Sequence, residues 1–255
     1  MKFQKLSFAA QSFSGLACTL ALALPAQAGI VTTLPTAALD ATTTFSFSSQ
    51  AVTAMRLLDI SASALGNASA TAGKAWSFDM PVTQVTVSAN LLPLSLTPLA
   101  GKATGSALGI NGPDGGLVLA NFAMDFQRNM LMGDLITSAG TTKGMDLYSF
   151  HVANGLSLST TGGLSMKMSM DQMYLTAAAR ASFIDALQLP DFTDAVMAKL
   201  DFGTLSVSIA PSLRLGVSDK AYTLSAAAVP EAPSMACMFL GLAGLAWVSR
   251  RRSEG

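Results

Sequence analysis

The clearest pattern along the chain is alternation with a period of two. From Leu164, the apolar residues Leu164, Met166, Met168 and Met170 interleave with the polar residues Ser165, Lys167, Ser169 and Asp171. Successive side chains of an extended strand point to opposite faces, so this segment reads as a half-buried strand. A helix, with its period of about 3.6 residues, does not sort the two sets that way. Val118, Ala120, Phe122, Met124 and Phe126 share a face by the same rule, as do Tyr148, Phe150 and Val152, and Leu205, Val207 and Ile209 against Ser206 and Ser208. Phe45 with Phe47 and Val85 with Val87 mark shorter pieces. Turns are expected at Asn111-Gly112-Pro113-Asp114-Gly115-Gly116, at Asn154-Gly155 and at Gly162-Gly163, because Gly and Asn accept the backbone angles of tight turns.

Two segments break the alternation. Ala177 to Gln188 is rich in alanine and places Phe183, Ile184 and Leu187 at helical spacing, and beyond Pro190 a second candidate helix brings Phe192, Val196, Met197 and Leu200 together with Asp191 as its cap. The expected fold is all-β: an antiparallel β-sandwich or open barrel with one or two short helices plugging one end, flanked by an N-terminal signal helix and a C-terminal membrane helix. The chain divides into an N-terminal segment at 1–28, a single β-rich domain at 29–228 and a C-terminal tail at 229–255, the two ends being read below as a signal peptide and a sorting tail that leave the domain extracytoplasmic. Residues 29–43 and 218–228 read as loosely ordered approaches to the domain.

The first 28 residues have the three parts of a secretory signal. Lys2 and Lys5 form the charged start, Phe13 to Leu24 the apolar middle, and Ala26-Gln27-Ala28 the small-x-small cleavage site. Cleavage after Ala28 leaves Gly29 as the mature start and implies the Sec translocon and signal peptidase as partners. At the other end, Val229-Pro230-Glu231-Ala232-Pro233-Ser234 precedes an apolar run from Met235 to Val248 and then Arg250-Arg251-Arg252. At about 1.5 Å rise per residue that run spans roughly 21 Å as a helix, short of the roughly 30 Å hydrocarbon core. The three arginines act as a stop-transfer signal and favour a cytoplasmic C-terminus.

Proline and glutamate, a short apolar helix and a terminal arginine cluster, in that order, resemble the PEP-CTERM sorting signal of Gram-negative, exopolysaccharide-producing bacteria. The motif residues here are Pro230, Glu231, Ala232 and Pro233, with Ala232 where the family has proline. Pro230 and Pro233 hold the segment extended and accessible. The resemblance implies recognition by an exosortase, a membrane cysteine protease-transpeptidase. It further implies a precursor anchored transiently in the inner membrane, and then a protein at the cell-envelope surface or in the medium, in the company of exopolysaccharide. A plain tail anchor is the alternative.

Composition narrows the chemistry. Lys plus Arg and Asp plus Glu both number 15, so no basic patch points to nucleic acid. Both glutamates, Glu231 and Glu254, lie in the tail, and the surface of the body must be covered largely by Ser, Thr, Asn and Gly. The two cysteines, Cys18 and Cys237, fall in the terminal segments, so no disulfide can staple the body. His151, the single histidine, lies on the strand face opposite Tyr148, Phe150 and Val152 and has no GxSxG elbow to serve. That inventory argues against zinc. Asp114, Asp191 and Asp194 are better explained by turns and caps than by calcium, and the series Met166, Met168, Met170 and Met173 by core filling than by copper(I).

No catalytic, cofactor-binding or metal-binding residue is therefore assigned, and no cofactor. The leading expectation is a non-enzymatic surface or matrix protein with a structural or adhesive role. The alternatives are an exported hydrolase using aspartates, with Asp125 and Asp134 or Asp146 and Asp171 as pairs, and a small-ligand or metal-binding module. Two close carboxylates in a pocket would favour the hydrolase, and an apolar cavity the binding module.

Overall fold

In the computed structural model, which describes residues 30–36, 39–91, 94–159, 165–214 and 216–224, the alternation at Leu205, Val207 and Ile209 becomes strand β12 (Gly203–Leu213). Its three apolar residues are buried while Ser206 and Ser208 face solvent. On one side β12 pairs with β11 (Ser165–Leu175) and on the other with β2 (Leu39–Phe47), both antiparallel. Beyond β11 the sheet continues through β10 (Gly140–Ser159), β9 (Met130–Thr137), β8 (Gly116–Asp125), β7 (Leu94–Asn111) and β6 (Gln84–Leu91) to the edge strand β1 (Ile30–Pro35). Beyond β2 it runs through β5 (Ser77–Pro81) to the two-residue β4 (Ser69–Ala70), and β3 (Ser61–Gly66) pairs with the far end of β7.

These strands form one curled 12-stranded sheet, an antiparallel half-barrel. Of the two architectures expected, the open barrel is thus the nearer. The curl has a covalent cause. Consecutive strands β5 and β6 sit second from opposite ends of the strand path, joined only by Val82-Thr83. At that junction the Val82 amide donates to the Ala41 carbonyl (2.8 Å) and the Thr83 amide to the Lys102 carbonyl (2.8 Å), tying β2 to β7 through one stretch of chain.

Two one-residue irregularities change which face the alternation buries. In β8, Leu117 and Leu119 face the main core, but Asn121 adopts a left-handed conformation (φ 53°), and beyond it Phe122 and Met124 turn inward. Val118 and Ala120, expected beside Phe122 and Met124, instead face the other side of the sheet with Ala107 and Ile136. Gln172 (φ 53°) does the same in β11, where burial passes from Met168 and Met170 to Met173 and Leu175. A bulge inserts one residue and so reverses the phase of everything after it. Asn154-Gly155 is not a turn either. It lies within β10, where the register against β11 slips on either side of Asn154. Glycine inside a strand often marks such a slip.

Three helices gather at one end. α2 (Ala177–Leu187) is as expected: the Thr176 side chain caps it, accepting from the Ala179 amide at 3.1 Å, and Ala179, Phe183 and Leu187 form its buried face. α3 (Thr193–Met197) follows Pro190, but Asp191 does not cap it. The Thr193 hydroxyl instead donates to the Pro190 carbonyl (2.6 Å). With five residues α3 makes little more than one turn. Met197 is buried, but Phe192 (70 % exposed) and Val196 (55 %) are left in solvent. α1 (Ser49–Leu57) was not anticipated. Ser48 caps it at the Ala51 amide (3.0 Å) and also donates to the Asp201 carbonyl (2.6 Å), so Ala51 and Met55 pack inward.

The expectation of loosely ordered approaches is corrected for the described residues among 29–43 and 218–228, with Gly29, 37–38 and 225–228 lying outside them. Residues 30–35 form β1 and 39–47 form β2, while Ser218 to Leu224 are held against the sheet as described below. Among the described residues no helix is long and apolar enough to cross a membrane. The expected signal helix and membrane helix, and the Gly162-Gly163 turn, lie outside the described residues.

Candidate functional site

Past β12 the chain returns over the sheet face opposite the main core. Tyr222 packs there on Ala107, Ala120 and Ile136, the side of β7, β8 and β9 that the Asn121 bulge leaves apolar. Asn121 holds this strap by both ends of its amide. Its Oδ1 accepts from the Tyr222 amide at 2.7 Å, and its Nδ2 donates to the Tyr222 carbonyl at 3.0 Å. Oδ1 also accepts from the Gly105 amide (3.1 Å), and Nδ2 also donates to Asp134 (2.8 Å). Asn67 makes a second grip, donating to the carbonyls of Ser218 (2.7 Å) and Thr104 (3.1 Å). The strap lies so close that a methyl group at Gly105, where φ is 78°, would come within 2.7 Å of the Lys220 carbonyl.

The half-barrel has an apolar cavity at each end. The one beneath the helices, between Met55, Tyr148, Phe183 and Met197, is about 50 Å³. The other is about 210 Å³ and lies at the far ends of the same strands, between Leu34, Val87, Met124, Leu156, Met166 and Ile209. Among the described residues, Thr32 and Thr36 alone bring polar side chains to it. Water is a poor filler, since it needs two to four polar partners. The methionine series divides here: Met166 and Met168 line the cavity, whereas Met170 and Met173 lie fully buried in the core.

The carboxylate pairs considered from sequence do not meet. Asp125 is joined to Asp146 through Arg128, whose Nε donates to Asp125 (2.8 Å) and whose Nη1 donates to Asp146 (3.1 Å). The Arg128 hydrogen bond holds the Asp125 carboxyl below its ordinary range. Asp134 is occupied by Asn121 and by the Gly144 amide (3.0 Å), and Asp194 by Arg180 (2.8 Å). Asp171 accompanies the exposed His151, at 2.9 Å from its Nδ1. Burial pushes the Tyr148 phenol well above its ordinary range, so Tyr148 serves the core as a neutral ring against Phe45 and Phe202.

The terminal site residues, Ala26, Ala28 and Gly29, Pro230, Glu231, Ala232 and Pro233, and Arg250, Arg251 and Arg252, lie outside the described residues. Sequence comparison speaks to the last two groups. The family model described as the PEP-CTERM protein-sorting motif matches residues 228–252. The chain carries a PEP-CTERM sorting signal. The matched stretch takes in the Pro230-Glu231 pair, the apolar run and the arginines, and begins just beyond the strap that Asn121 and Asn67 fasten. The PEP-CTERM motif indicates an exported protein with a C-terminal sorting signal and implies an exosortase-like membrane enzyme as its partner.

No curated protein matches the chain. Among solved structures, the C-terminal domain of HtaA from Corynebacterium glutamicum is 12 % identical, with a TM-score of 0.42 over 68 % of this chain and 97 % of that one. The heme binding protein HtaB from the same organism is 11 % identical, with a TM-score of 0.38 over 72 % and 96 %.

The sequence reading missed the strap. Its signal was Asn121 itself, a polar residue with a tolerance for left-handed backbone, set at a position where alternation called for polarity but not for an irregularity.

Proposed function

We propose that this protein is exported by Sec, trimmed by signal peptidase between Ala28 and Gly29, and held in the inner membrane by Met235 to Val248 with Arg250 to Arg252 on the cytoplasmic side. An exosortase-like enzyme then cuts near Pro230-Glu231 and leaves the body at the surface of a Gram-negative envelope or in the medium. The observation that carries this reading is the motif match over residues 228–252. The strap supports it, because eight residues at about 3.3–3.6 Å each allow Pro230 to lie at most roughly 29 Å from the Tyr222 anchor. The folded body would therefore stay close to the membrane until the cut is made.

For the released body we propose a non-enzymatic, structural or adhesive role beside exopolysaccharide. Its support is the outer face of β2, β12, β11 and β10, where the side chains of Thr42, Thr44, Ser206, Ser208, Ser169 and Asn154 stand around a shallow depression of mixed polarity with Lys167 as its charge. Thr44 lies opposite Ser206 and Thr42 opposite Ser208, so the hydroxyls form ranks suited to a polyhydroxylated polymer.

The sorting step is tested by the double variant Pro230→Ala, Glu231→Ala expressed in the native host. The variant is expected to keep its full tail and remain in the membrane fraction. Processing at the normal rate would overturn the reading.

A further inference from the structure

We infer that the larger apolar cavity of the half-barrel is a binding site for a segment of one acyl chain of a membrane lipid. Its wall is hydrocarbon and thioether: Val87, Met124, Leu156, Met166 and Ile209 come from five different strands and converge on about 210 Å³ of space. That exceeds the roughly 150 Å³ of an engineered apolar cavity that stays free of water and takes up benzene. Among the described residues no Lys, Arg, His, Asp or Glu lines it, so none of them can pair with a carboxylate or phosphate inside. A lipid headgroup must stay outside while its chain enters, because burying an unpaired charge in such a site is prohibitive.

The mouth fits that arrangement. Leu34 and Leu96 line the cavity and are also 46 % and 42 % exposed. Ile30, on the same face of the edge strand as Leu34, extends the apolar surface outward. Strand β1 is bonded to β6 along one edge alone among the described residues, so this wall can yield to an incoming chain more readily than a strand paired on both sides. Exposed apolar groups around an apolar cavity favour contact with a bilayer. The flexible side chains of Met124, Met166 and Met168 adapt to an occupant without a fixed shape. The inference goes beyond the sorting reading, since the cavity is formed by the body alone.

The full-length protein is reconstituted in phosphatidylethanolamine and phosphatidylglycerol vesicles containing a phospholipid with a photoactivatable diazirine at mid-chain. It is then irradiated, and the adducts are mapped by peptide mass spectrometry. Adducts are expected in the peptides carrying Met124 and Met166 to Met168, besides those in the tail. Ala100→Trp, which fills the cavity from β7, is expected to lower the ratio of cavity to tail adducts by about tenfold. Val207→Phe serves as a second filling variant, and thermal unfolding shows whether each variant is folded. Wild-type adducts confined to the tail and the outer surface would overturn the inference, whether the cavity is empty or filled by the chain's own tail. Cavity labelling by a free diazirine fatty acid but not by the phospholipid would overturn the lipid as its source. Loss of sorting in the Pro230→Ala, Glu231→Ala variant leaves the body and its cavity labelling in place, so the two proposals fail separately.

Discussion

Asn121 grips the backbone of Tyr222 from both sides, accepting from its amide at 2.7 Å and donating to its carbonyl at 3.0 Å, much as a neighbouring strand would. This single side chain, set at a bulge in β8, fastens the last described stretch of the body just ahead of the sorting motif.

Asn121→Gly keeps the left-handed backbone accessible while removing the amide. We expect the Tyr222 amide to exchange its hydrogen much faster and global stability to fall by about 1–3 kcal/mol, since Gly105, Tyr222 and Asp134 all lose a partner. Unchanged exchange at Tyr222 would show that Asn67 and packing alone hold the strap.

Gly105→Ala places a methyl 2.7 Å from the Lys220 carbonyl oxygen and 2.5 Å from Asn67 Nδ2, at a φ of 78° that alanine resists. The strap should lift and become a site of limited proteolysis between residues 216 and 224, with the cut body still folded by circular dichroism. Equal protease resistance in variant and wild type would contradict the tight approach.

Phe183 and Phe192 form a contrast pair. Phe183→Ala empties a buried site between α2 and the sheet and should cost about 3–5 kcal/mol in urea unfolding. Phe192→Ser, at a largely exposed position, should stay within about 0.5 kcal/mol. Similar losses at both would mean that α3 packs against more than the described residues show.

The cluster Asp125–Arg128–Asp146 makes a pH prediction. The folded-state pKa of Asp125 is lowered, so its contribution to stability is present above the ordinary aspartate value and is lost as pH falls below it. Both carboxylates are partly exposed and screened, so the effect on unfolding should be small. Arg128→Ala should shift the Asp125 titration, followed by carboxyl carbon NMR, back up toward its ordinary value. An unshifted titration would remove Arg128 as the cause.

Much of the half-barrel was legible because burial and alternation coincide wherever strands run undisturbed, as at Leu205, Val207 and Ile209. What was not legible traces to single residues. Asn121 and Gln172 each reverse the phase of a strand, and a period of two carries no mark of where a bulge falls. Helix α1 is nine residues long and buries only Ala51 and Met55, too little apolar surface to stand out as a stripe. Asn154-Gly155 has turn chemistry, yet pairing across β10 and β11 overrides it. The cavity could not be read at all, because its lining comes from strands as far apart in sequence as β1 and β12 and exists only once the sheet curls. The sorting tail was the opposite case. Its signal is linear, and order along the chain suffices.

The most direct test of the account is the intact mass of the mature protein recovered from the native host's envelope and medium. A chain beginning at Gly29 and ending near Pro230-Glu231, with or without an attached group, is the predicted result. A chain that still runs to Gly255 in every fraction would contradict it and leave the tail as a simple membrane anchor.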